Sequence, residues 1–297
     1  MEKGDGVSSE TFRTLRFVFI ICFVSALLLS TLASALKEPQ EKAKELDRNV
    51  QMLRAAQILS YGDFFQIRNG TSYKPARFDR GILVPTDHPQ KPTQDEIFAV
   101  YQARIKPYLV NSESNLISFE EAKINYIEYL QANQKTGYAH LPLKLIYQIL
   151  PNTKTPEKPE GYAIPINGFG LWDAIYGYLA IESDGDTVIG ATWYQQAETA
   201  GLGADISLPS WQKQFRGKLI FQPPSSGSTD FQTAPLGITV VKGQVSQVLA
   251  GSPKTKSAVD GISGASLTGQ GVTDAYADCL SPYRPFLIRL SKGASSG

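Results

Sequence analysis

The chain has 297 residues but only two cysteines and two histidines. Cys22 lies inside an apolar run and Cys279 lies near the C-terminus, so the two do not pair with each other in a folded chain. The remainder therefore carries no intramolecular disulfide, and its size must supply its core. His88, His140 and one cysteine outside the apolar run cannot build a zinc or iron–sulfur site of usual composition. Both histidines are read as solvated structural side chains, and no metal site is expected. Charge of one sign is also missing. Lys and Arg number 29 against 28 Asp and Glu, a net charge of +1. With no basic patch interleaved with aromatics, a nucleic-acid surface is not expected. No P-loop, dinucleotide fingerprint or nucleophile elbow is present. Gly168-Phe169-Gly170 is a Gly-x-Gly without the third glycine.

Long hydrophobic runs are absent with one exception. Residues 17–36, from Phe17 to Leu36, contain no charge. Their length suits a helix crossing a hydrocarbon core of about 30 Å. Arg13 and Arg16 precede the run, whereas Lys37 and Glu38 after it nearly cancel. The positive-inside bias predicts a cytoplasmic N-terminus with the remaining residues outside. A cleaved signal peptide is the rival reading, because Ala33-Ser34-Ala35 has the small residues of a cleavage site. The run exceeds the roughly 7–15 residues of a signal core, which favours an uncleaved anchor. Cys22 sits within the run, which argues against a lipid anchor.

Beyond the anchor, Leu46, Val50 and Leu53 recur at helical spacing among charges. They predict an amphipathic helix over 41–59, either a stalk leaving the membrane or an ordinary surface helix. Residues 68–95 read as loop and short strand, and 95–106 and 119–133 as helices. Pro151, Pro156, Pro159 and Pro165 mark a linker, and the functional core is placed from Gly161 onward. There the texture becomes β. Asp184-Gly185 between the β-prone runs 176–182 and 187–194 predicts a hairpin. Residues 218–221, 237–242 and 244–249 suggest three further strands, and 272–279 a helix. The predicted core is an antiparallel-rich α+β domain.

The stretch 260–268, Asp-Gly-Ile-Ser-Gly-Ala-Ser-Leu-Thr, packs three hydroxyls and two glycines ahead of that helix. Small residues let a bulky group approach the backbone, and a hydroxyl at a helix N-terminus sits where phosphate is favoured. Ordinary helix capping explains the same composition. A phosphate-bearing cofactor would lack the usual loop to hold it here. A covalent link through a hydroxyl would remove that need.

Four blocks carry a resemblance: the N-terminal anchor with its charged exit helix; residues 162–178, containing Gly170-Leu171-Trp172-Asp173; residues 196–203, Gln-Ala-Glu-Thr-Ala-Gly-Leu-Gly, with Trp211 and Gly217-Lys218; and Asp260 to Ser266 with the helix behind it. On these the chain resembles the C subunit of the bacterial sodium-translocating NADH:quinone reductase, a respiratory complex of six subunits. The likeness covers residues 10–60 and 160–290, and 68–150 add little. It implies segments 1–16 in the cytoplasm, 17–36 in the inner membrane and 37–160 as stalk helix and variable α+β region. Residues 161–291 would form an FMN-binding domain in the periplasm, with 292–297 as a tail.

The resemblance also implies a cofactor and its handling. A flavin transferase would cut FAD and leave FMN in phosphoester linkage on the last hydroxyl of the motif, here Ser266. The family's usual residue there is threonine. Serine offers the same oxygen with less steric restriction, and Thr268 stands two residues on as the alternative acceptor. Ser263, Gly264, Ala265 and Leu267 would surround the linkage. Glu198, Thr199, Leu202 and Gly203 would form a facing loop, with Ala200 where relatives carry proline. Leu171, Trp172 and Lys218 are candidate neighbours, with core packing and surface charge as their ordinary readings. Gln196 falls where a histidine is common, so no acid or base is assigned. The implied function is passage of single electrons within a complex that couples NADH oxidation and quinone reduction to Na(+) export. The rivals are the flavin subunit of an Rnf-type ferredoxin:NAD oxidoreductase and a cofactor-free membrane-tethered assembly module.

Overall fold

The structure is a computed structural model that describes residues 9–70, 72–153 and 158–294. The ends of the expected N-terminal segment and tail, and part of the proline-rich linker, lie outside the described residues. Helix α1 runs from Ser9 to Ala55 and joins the anchor and the expected stalk in one element. It is long and apolar enough to cross a membrane, by length and composition. Every side chain from Thr11 to Glu45 is exposed. The chain forms two compact units, one ending at Asp47 and the other beginning at Arg48.

The second unit opens with the end of α1, where Met52 and Leu53 are buried. Strands β1 (Gln66–Asn69), β2 (Ser72–Asp79) and β3 (Ile82–Pro85) make a small antiparallel sheet. Helix α2 (Gln94–Arg104) starts at a capping box: Glu96 N–H donates to Thr93 Oγ1 at 3.3 Å, and Thr93 N–H donates to Glu96 Oε2 at 2.8 Å. Strands β4 (Ile105–Val110) and β5 (Leu116–Ile117) follow, then helix α3 (Tyr126–Asn133) and strand β6 (Lys144–Ile149). The helix expected over 119–133 begins late. Lys123 has a φ of 55°, which breaks the helical path, and Asn125 Oδ1 restarts it by accepting from Ile127 and Glu128 N–H.

Strands β7 (Gly161–Phe169), β8 (Ala174–Glu182) and β9 (Val188–Gln195) complete a six-stranded antiparallel sheet in the order β5-β4-β6-β7-β8-β9. Gly161 opens β7, yet β7 pairs with β6 of the preceding region, so one sheet crosses that position. The Asp184-Gly185 hairpin is present as expected. Asp184 Oδ1 accepts the N–H groups of Asp186 and Thr187, each at 2.9 Å.

The rest is short elements and two helices: α4 (Pro209–Gln212), β10 (Thr239–Val240), α5 (Val245–Val248), β11 (Ala258–Val259), α6 (Ser266–Leu280) and α7 (Arg284–Ala294). The three late strands expected from sequence are mostly not strands. Around 218–221 the backbone bonds to different segments in turn: Leu219 donates to Lys256, Ile220 to Asp186, and Phe221 bridges Leu236. Of 237–242 only β10 pairs, parallel to β11. Residues 244–249 coil into the single turn α5, because Asp260 Oδ1 takes the Val245 N–H at 2.7 Å.

Helix α6 packs on β7. Its buried positions Val272, Ala275, Tyr276, Cys279 and Leu280 follow helical periodicity. Gly168 makes the approach close, since a Cβ there would stand 2.5 Å from Ala275 Cβ. Between helix and sheet, Trp193 Nε1 donates to Tyr276 Oη at 3.1 Å, and both side chains are buried. This layer holds the start of α6 at one end of the sheet, beside the β7–β8 turn.

Candidate functional site

Asp260 fastens the motif at three points. Its N–H donates to Gln214 Oε1 at 2.9 Å, its carbonyl accepts from Trp211 Nε1 at 2.8 Å, and its carboxylate holds the Val245 N–H. Gly261 N–H adds a bond to the Gly243 carbonyl at 2.8 Å. Gly264 then turns the chain with φ at 74°, a left-handed value that suits glycine. A Cβ at Gly264 would also lie 2.8 Å from Leu202 Cδ2, which places the 196–203 loop against the motif. Ala265 precedes α6 and offers no capping side chain.

The turn opens a cleft of about 440 Å³ lined by residues 240–244, 261–266 and 269–270. Ser266, the first residue of α6, lines it with an exposed side chain. Ser263, Gly264 and Ala265 line it too. The first N–H groups of a helix lack intrahelical partners and favour an anion. Lys242, also exposed, lines the cleft from the 240–244 segment. Sequence reasoning missed this segment, because 237–249 read as two strands. Lys242-Gly243, with φ at 108° for Gly243, is the signal that a turn stands there.

Thr268 is placed differently from Ser266. It is 1 % exposed, and its hydroxyl donates to Glu198 Oε2. Glu198 is itself buried, and its other oxygen accepts the Trp172 N–H at 3.0 Å. Burial would raise the Glu198 carboxyl pKa. The Thr268 hydroxyl and the N–H groups of Trp172, Leu171 and Asp173 outweigh that and hold it below the usual range. Gly203 closes around the pair: a Cβ there would lie 2.5 Å from Glu198 Oε2 and 2.6 Å from Thr268 Oγ1.

The loops beside the motif present apolar groups to solvent. Leu171, Trp172, Leu202 and Leu267 are exposed, as is Phe169 at the end of β7, which sequence reasoning did not single out. The Trp172 indole is tied down by a 3.3 Å bond from Nε1 to Thr199 Oγ1. Lys218 lies outside the cleft, with Nζ donating to the Thr255 carbonyl at 2.8 Å. Burial lowers its pKa, and Asp260 opposes that.

An FMN-binding domain family matches residues 170–281, the span that contains the Glu198 loop, the cleft and α6. The chain is 43% identical over 306 aligned positions to the C subunit of the Na(+)-translocating NADH-quinone reductase of Chlamydia caviae, covering 98% of this chain and 96% of that one. The chain belongs to this C-subunit family. The corresponding protein of Vibrio parahaemolyticus is 30% identical, with 95% of each chain covered. The crystal structure of the C subunit from Parabacteroides distasonis matches with a TM-score of 0.53 at 25% identity, covering 85% of this chain and 96% of that one. The apolar N-terminal helix and the antiparallel-rich α+β domain are thus the architecture of the family, and the domain is of the FMN-binding kind. Family members are subunits of a translocase complex, and the anchor reading of α1 fits a single-pass protein.

Proposed function

We propose that the chain carries FMN in phosphoester linkage on Ser266 and serves as an electron-transfer subunit of a Na(+)-translocating NADH-quinone reductase. The observation that carries the reading is the contrast between two hydroxyls two residues apart. Ser266 is exposed at the start of α6 and lines the cleft, whereas Thr268 is buried with its proton given to Glu198. In attachment, the Ser266 hydroxyl displaces AMP from FAD on a flavin transferase. An Oγ–P bond forms, the pyrophosphate bond breaks, and the hydroxyl proton is released.

The residues present fit the group. The N–H groups opening α6 would receive the phosphate, with Lys242 lining the same cleft. Gly264 and Ala265 leave room for the ribityl chain beside the backbone. Leu202 and Leu267 offer apolar surface to the ring, and Thr199 with Trp172 bounds the same side. FMN, when bound, supplies one-electron redox chemistry, and the protein sets its access and surroundings. NADH oxidation, quinone reduction and Na(+) export belong to the whole complex of six subunits. The main domain is periplasmic and α1 anchors it in the inner membrane, as the positive-inside bias over Arg13 and Arg16 supports.

The test is mass spectrometry of the peptide from Ser257 to Arg284, from full-length chain co-produced with a flavin transferase. FMN is expected on Ser266 in the wild type and absent in Ser266→Ala. An unmodified wild-type peptide in a colourless protein, with an active transferase, overturns the reading.

A further inference from the structure

Helix α6 begins without an ordinary cap, since Ala265 has no side chain to accept the first N–H groups. An uncapped first turn frays. Here the turn is fastened from behind. Thr268, the third residue of the helix, gives its only hydroxyl proton to Glu198. Glu198 in turn grips the β7–β8 turn through the Trp172 N–H, so one carboxylate ties three segments together. The cradle is built to fit: Gly170 and Gly203 both approach the carboxylate where a Cβ would overlap it. Neither Glu198 nor Thr268 lines the cleft. They act on the opposite side of the helix from Ser266.

We propose that Glu198 and Thr268 are a positioning pair that fixes the first turn of α6, and with it the direction of the Ser266 hydroxyl for FMN attachment. The inference rests on Ser266 being the acceptor. It gives Thr268 the part of fastener and excludes it as a second acceptor, because its oxygen is buried and its proton is engaged. The carboxylate must be ionised to accept from the hydroxyl and the backbone N–H groups at once. A neutral amide that kept its oxygen on the Trp172 N–H would turn its NH2 toward Thr268, whose hydroxyl would then have to accept, and the charge-assisted bond from that hydroxyl would be lost.

The experiment follows the rate of FMN attachment to the full-length chain by in-gel flavin fluorescence, with the site located by mass spectrometry. Thr268→Val removes the hydroxyl at nearly constant volume, Thr268→Ser keeps it, and Glu198→Gln keeps the shape but not the charge. Thr268→Val and Glu198→Gln are expected to slow attachment about 10- to 100-fold, the scale of a misplaced reacting group. Thr268→Ser is expected to restore the wild-type rate, which a simple packing role would not predict from the smaller residue. Attachment at the wild-type rate in Thr268→Val, or equal loss in Thr268→Ser, overturns the pair. If Thr268→Val does not fold, Glu198→Gln against Thr268→Ser carries the same decision. A wild-type chain with no FMN on Ser266 overturns the underlying reading instead, so the two failures are told apart by the wild-type lane.

Discussion

Replacing Asp186 by asparagine is expected to stabilise the chain above neutral pH and to leave it nearly unchanged in acid. Asp186 follows β8 in the hairpin turn, and its Oδ1 accepts the Phe221 N–H at 2.9 Å. Burial pushes its carboxyl from 3.8 up to about 6, the Phe221 N–H opposes this, and the Asp184 charge adds to it. Between those two values the folded chain holds a proton that the unfolded chain has lost. Stability contributed at this site therefore falls as pH rises through that window, and is lowest above it. A separation of roughly two pH units corresponds to about 3 kcal/mol. Asp186 is only partly buried, and solvent screening reduces the expected loss to about 1–2 kcal/mol. Asparagine keeps an oxygen for the Phe221 N–H and never ionises. Urea unfolding of the detergent-solubilised chain, followed by tryptophan fluorescence at about pH 4 and about pH 8, measures the difference. The gain should appear only at the higher pH, with unchanged slope in denaturant. An equal gain at both values, or a less stable variant at the higher one, would refute the reasoning.

Two further substitutions probe the layer between helix and sheet and the cradle behind α6. Tyr276→Phe leaves the buried Trp193 N–H without its 3.1 Å partner, and should cost about 1–3 kcal/mol, read as a lower melting temperature. Gly203→Ala forces a methyl against Glu198 and Thr268. It should cost a similar amount, about 1–3 kcal/mol, and slow FMN attachment as well, whereas Tyr276→Phe should lower stability without a matching loss of attachment.

Periodicity is legible where an element buries one continuous face. The buried positions of α6 recur at helical spacing, and β8 and β9 flank an Asp-Gly turn, so both are readable from local pattern. It fails where backbone partners come from several distant segments. Residues 218–221 look like a strand because they are apolar and β-prone. Their N–H groups nevertheless go to Phe215, Lys256, and the carbonyl and carboxylate of Asp186, so no ladder forms. Residues 244–249 coil because a carboxylate fifteen positions away takes the Val245 N–H. Such partners have no local signature. The six-stranded sheet crossing Gly161 is hidden for a related reason. The proline-rich stretch reads as a boundary, yet Gly161 emerges from it straight into pairing with Ile149.

The candidate site divides along the same line. Its ingredients are visible in sequence: hydroxyls, small residues and a helix start within nine positions, a composition that ordinary helix capping also explains. Which hydroxyl faces the cleft is not, because Ser266 and Thr268 differ little in local composition. The distinction comes from Glu198, some seventy positions earlier, which reaches the same helix start from the other side. In sequence, Glu198 reads as part of a loop facing the cofactor. In the fold it is buried against backbone N–H groups and a threonine, with glycines on two sides where any larger residue would collide. A carboxylate held this way cannot also be a mobile acid or base, since its lone pairs are already committed. Its work is therefore geometric. The first turn of α6 is fastened through Thr268, on the side away from the cleft that Ser266 lines.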